Sequence, residues 1–86
     1  MDIVIRQPVP TISGVKTVEH HVPYDIARRK VDQLGVDYSK YGPKATVLSV
    51  YAQVRWGCDH AVTLPDGRHE WVNDTTGETV RLEASL

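Results

Sequence analysis

The sequence predicts an α+β fold: one small domain in which a mostly antiparallel meander of four to five strands packs on one helix. Three observations carry that expectation. Residues 45–56 alternate with period 2, placing Leu48, Val50, Ala52, Val54 and Trp56 on one side and Val47, Ser49, Tyr51, Gln53 and Arg55 on the other. Such alternation is the pattern of a half-buried strand. Residues 23–34 instead place Tyr24, Ala27, Val31 and Leu34 at i, i+3, i+7 and i+10, a helical stripe. The chain after Trp56 breaks into short β-prone runs separated by Gly, Pro, Asn and Asp.

In chain order, residues 2–7 read as a first strand, with β-branched Ile3, Val4 and Ile5, closed by Pro8 and Pro10. It is expected on an edge of the sheet. Thr11 to Gly14 is a turn, and Val15 to His21 is a weaker second strand that can pair with the first. Pro23 suits the first position of the helix, Asp25 favours its first turn, and Gly35 stops it. Ile26 falls off the apolar stripe. Val36 to Lys44 is an irregular connection ending in Gly42-Pro43, which launches the long strand 45–56.

Gly57-Cys58-Asp59 then reads as a tight reversal into strand 60–64, setting Trp56 opposite His60. Between strands 60–64 and 68–72, two rules conflict. Pro65 at i+1 of a type I turn with Gly67 as the bulge residue pairs Leu64 with Arg68. A two-residue Asp66-Gly67 turn would align Val62 with Trp71, which suits the apolar pattern, but it misplaces Pro65. The three-residue loop is preferred, with a bulge or twist expected to correct the faces. Asn73 to Gly77 is the last turn and 79–83 the last strand, with Val80 and Leu82 inward and Ala84 to Leu86 fraying. A strongly curled, SH3-like sheet is the alternative architecture, because the later strands are short.

Composition narrows the function classes. The 86 residues suit one domain, with 10 basic and 11 acidic side chains and a formal net charge of −1. That balance argues against a strongly electrostatic nucleic-acid binder. A single cysteine, Cys58, excludes an internal disulfide framework. No basic, apolar leader opens the sequence and no apolar run approaches the length of a bilayer span, so a cytoplasmic location is the expectation.

Several residues invite chemistry. Cys58, His60, His20 and His21 are zinc-ligand types. Their spacing matches no finger or ribbon, and adjacent histidines on a strand point in opposite directions. No metal or other cofactor is therefore expected. Cys58 with a histidine and Asp59 has the residue types of a nucleophilic site, but an activated thiol needs an electropositive enclosure that a hairpin tip does not provide. Glu70 with Asp66 or Glu78 reads as outward charge, and no phosphate-cradling or metalloprotease motif occurs. The expectation is a non-enzymatic protein.

Two binding readings remain. Nucleic acid would use Arg28, Arg29 and Lys30 on the helix with Lys40 and Lys44, interleaved with Tyr38 and Tyr41; against it, Arg28 and Asp32 are spaced for an i, i+4 ion pair. Protein binding would use Tyr38, Lys40, Tyr41, Tyr51, Arg55 and Ile26, residue types at home in interfaces. The leading expectation is a small inhibitor or accessory protein, of the kind that phages and mobile elements encode, acting on a protein partner. An exposed edge strand offers a further route to a partner strand or a homodimer. Trp71 to Thr79 resembles the second hairpin of WW domains over nine residues. This is shared turn chemistry, and nothing of that family's function is carried over.

Overall fold

The computed structural model describes residues 1–84. Its elements are β1 (Asp2–Thr11), β2 (Gly14–Pro23), α1 (Tyr24–Asp32), α2 (Pro43–Trp56), β3 (His60–Thr63), β4 (His69–Val72) and β5 (Thr79–Glu83). The strands form one antiparallel sheet in the order β2-β1-β5-β4-β3. Both helices lie on one side of it, packing mainly over β1, β2 and β5. The result is a two-layer α+β domain, as expected, and not the curled alternative. No helix among the described residues is long and apolar enough to cross a membrane.

The principal correction is residues 45–56, which form most of the helix α2 and not a strand. Thr46, Val47, Leu48, Tyr51 and Ala52 are its buried residues. They follow a 3.6-residue period that the sequence carries alongside the period-2 alternation, because Val47 and Tyr51 are also apolar. The ends decide between the two patterns. Pro43 opens the helix where its missing N–H costs nothing, and Gly57 closes it at φ 65°, the left-handed conformation glycine adopts freely. Gly57 and Cys58 donate back to the carbonyls of Gln53 and Ala52. Val54, expected in the core, is therefore 68% exposed, and Tyr51, expected outward, is 5% exposed.

The first helix keeps the expected stripe through Tyr24, Ala27 and Val31, then ends at Asp32. A tight turn through Gly35 follows, with Leu34 and Gly35 donating to Val31 and Asp32. Leu34 is thereby turned out to solvent. Ile26 is exposed, as its off-stripe position requires.

The first strand does not lie on an edge. It pairs with β5 from Asp2 to Arg6 and with β2 along its whole length, so β2 takes the edge. Its alternate side chains divide the sheet's two faces. Ile3 and Ile5 join Val80, Ala27, Val31, Val47, Leu48, Tyr51, Ala52 and Cys58 in the core under the helices. Val4, on the opposite face, is equally buried, and there the cover is ionic. Arg6 bridges Glu19 (3.2 Å) and Glu83 (3.4 Å), while Arg81 bridges Glu83 (2.5 Å) and Glu70 (3.4 Å). His21 reaches Glu19 (2.9 Å) and Asp2 (3.7 Å). A ladder of paired charges thus roofs the helix-free face.

The hairpin conflict resolves toward turn chemistry. Leu64 donates to the Arg68 carbonyl (2.7 Å) and Gly67 to Leu64 (2.9 Å), which gives the three-residue loop with Gly67 at positive φ. No bulge corrects the faces afterwards. Ala61 pairs with Trp71 and Val62 with Glu70, leaving Val62 partly exposed on the ionic face. The last turn is tied by Asn73, whose amide oxygen accepts from the Thr75 and Thr76 N–H groups. Its Nδ2 donates to the Trp56 carbonyl at the end of α2 (3.0 Å). Of the expected fraying tail, Ser85 and Leu86 lie outside the described residues.

Candidate binding groove

Because the helices sit over β1, β2 and β5, the β3–β4 hairpin extends past their cover. The gap this leaves is an open groove of about 650 Å³. Ala61, His69 and Trp71 line it from the sheet; Ala45, Thr46, Leu48, Ser49 and Val50 line it from α2. The loop between the helices closes one end with Val36, Asp37, Lys40 and Tyr41. A mostly apolar lining with a few polar groups is the usual make-up of a binding pocket. The Thr46 hydroxyl is buried and has no hydrogen-bond partner among the described residues.

The loop is held in place by its own side chains. The Asp37 carboxylate accepts from the Ser39 N–H (2.9 Å), a bond that holds its carboxyl below the usual range. Tyr38 packs against the core and donates its hydroxyl to Asp32, which raises the phenol's pKa. The Arg28 guanidinium lies 5.2 Å from the Tyr38 ring centre. Arg28 thus stacks on Tyr38 where an ion pair with Asp32 was expected. Gly42 donates to the Tyr38 carbonyl (2.9 Å) and leads directly into Pro43 of α2. Tyr41 remains 70% exposed on the rim, with the Lys40 ammonium 5.1 Å from its ring centre.

Of the expected partner-binding residues, Lys40 and Tyr41 line the groove, and Tyr38 braces the loop behind them. Arg55 is exposed near the other end of α2, 5.9 Å from the Trp56 ring centre, and Ile26 is exposed on α1. Tyr51 drops out, because the helical period turns it into the core. The sequence reading missed Trp71, Leu48, Ala45 and His69 as lining residues. Their meeting depends on α2 being a helix laid beside β4. For the nucleic-acid reading, Arg29 and Lys30 are exposed on α1, while Lys40 and Lys44 flank the start of α2.

The candidate metal residues are separated. His20 stacks on Trp56 with 6.1 Å between ring centres and bonds Gln7 (3.1 Å). This is the contact the sequence assigned to His60, which an opposing strand would have supplied. His21 faces the other side of the sheet, in the charge ladder. Cys58 lies in the short loop after α2 but is buried there, and desolvation, with Glu78 and Asp59 adding to it, pushes its thiol up to about 11. Among the described residues, Asp59, His60 and Asp74 do cluster, their donor atoms within 4.8 Å of one another. His60 Nδ1 lies 2.8 Å from Asp59 and 3.6 Å from Asp74. Both carboxylates are exposed, and the His60 bond holds the Asp59 carboxyl below its ordinary range.

Compared with protein-family models, curated proteins and solved structures, the chain gives no match in any of the three.

Proposed function

We propose that this protein is a non-enzymatic binding domain that receives an apolar segment of a protein partner in the groove between α2 and β4. The groove itself carries the reading: an open, largely apolar channel with Tyr41 and Lys40 on its rim and Trp71 along its length. Desolvated aromatic and aliphatic residues within a polar rim are the make-up of an interface hot spot. The buried, protonated Cys58 thiol supports a binding role over a nucleophilic one. Such a domain acts by occupying or bridging its partner, as an inhibitor or accessory protein does.

Affinity capture followed by mass spectrometry tests this with two surface variants. Ala45→Arg fills the groove from an exposed helical position, and Tyr41→Ala removes the rim aromatic. Loss of the same captured protein with both variants supports the groove. Capture unchanged by either removes it as the binding surface.

A further inference from the structure

We propose that β2 pairs edge to edge with β2 of a second copy, antiparallel, about a two-fold axis at Val18, making one ten-stranded sheet. The observation is a contrast among free strand edges. An open edge presents unpaired N–H and C=O groups, and proteins usually blunt it. The β3 edge is only four residues long. The outer edge of β1, past its pairing with β5, carries Pro8 and Pro10, which have no N–H to offer. The β2 edge has neither device: it runs ten residues, with no proline before Pro23.

The shape of the molecule supports the same conclusion. Among the described residues β1 pairs only with β2 past Arg6, so the two continue as a two-stranded ribbon, with residues 10–17 all exposed. An isolated ribbon of two strands is marginal in water. Its tip holds Ile12, fully exposed, and Val15, 73% exposed. Such apolar exposure at the end of an arm is unfavourable in a lone molecule.

The register follows from the pairing. Thr11 and Gly14 close a two-residue turn, so Val15, Thr17, Glu19 and His21 direct their backbone groups away from β1. In a continued sheet, residues opposite each other share a face, so the paired numbers must have an even sum. With Val18 on the axis, Thr17 meets Glu19, Val15 meets His21 and Lys16 meets His20 of the second copy. Each arm then lies along the root of the other β2, which brings Ile12 and Val15 against the partner. The two Glu19 carboxylates fall diagonally, each already paired with Arg6 and His21. Placing Glu19 on the axis instead would oppose them directly.

Sedimentation of the purified chain over a concentration series, together with cysteine cross-linking, tests the proposal. A reversible dimer is expected. Thr17→Pro deletes an outward N–H at a position whose N–H does not serve β1. It should weaken the dimer about thirtyfold with an unchanged circular dichroism spectrum. Val18→Cys should oxidise to a disulfide-linked dimer, because facing residues of a non-hydrogen-bonded pair lie within disulfide reach. Lys16→Cys and the wild type, whose Cys58 is buried, should not. A chain that stays monomeric at every concentration overturns the proposal. So does a dimer indifferent to Thr17→Pro, or one that cross-links through Lys16→Cys and not Val18→Cys. If Thr17→Pro fails to fold, the cross-linking pattern alone decides.

Discussion

Asn73 ties the last turn to the end of α2 with one side chain: its oxygen caps the Thr75 and Thr76 N–H groups, and its nitrogen holds the Trp56 carbonyl. Asn73→Ala should cost about 2–3 kcal/mol, near 1 kcal/mol for each bond lost, measured by chemical denaturation. Asn73→Asp keeps both acceptor bonds and should cost less. His21 makes stability depend on pH. Its hydrogen bond to Glu19, aided by the charges of Glu19 and Asp2, raises its pKa above 6.5. The folded state therefore gains most from His21 below its unfolded pKa and loses that gain as pH rises through the folded value. Denaturation midpoints should fall across that window, and His21→Asn should flatten the fall. Cys58 belongs at this scale too. Its buried thiol, with a pKa of about 11, should resist alkylation in the native protein and react once denaturant opens the core.

At the scale of elements, α2 shows where local pattern becomes ambiguous. A strand at 45–56 would bury Val54 and expose Tyr51; the helix does the reverse. Val54→Ser should therefore change stability by less than about 0.5 kcal/mol, and Tyr51→Ala should cost about 3–5 kcal/mol in the same denaturation assay. The reverse order would reinstate the strand. The clue was in the sequence: Gly42-Pro43 before the run and Gly57 after it are helix punctuation, of the kind that located α1 from Pro23 and Gly35. Four β-branched residues (Thr46, Val47, Val50 and Val54) argued the other way, and burial of the helical stripe outweighed their weak preference. Turns were legible where one residue type dictates a backbone conformation, as Gly67 and Pro65 do. The groove was not. Lys40 and Tyr41 could be picked out as loop residues, but Trp71 and Ala45 meet only after tertiary packing.

Across the whole molecule, order should be unequal. Backbone amides of Ile3 and Ile5 lie in the buried centre of the sheet, whereas residues 10–17 project into solvent. Hydrogen exchange at concentrations too low for self-association should show the arm exchanging much faster than the paired segment of β1. Uniform protection under those conditions would contradict the architecture. The charge ladder also makes one face of the sheet sensitive to salt in a way the helical face is not.

The pairing of β1 with β5 has a consequence for how the chain is made. Asp2 lies opposite Glu83 and Ile5 opposite Val80, so β1 waits for β5, which is synthesised after every other element of the sheet. Until β5 emerges from the ribosome, the β1–β2 and β3–β4 hairpins have nothing to join them, and the helices have only half a sheet to cover. Closure of the sheet therefore follows the synthesis of β5, with this long-range pairing setting the folding rate. A nascent chain stalled before Thr79 should remain open to proteases along its entire length.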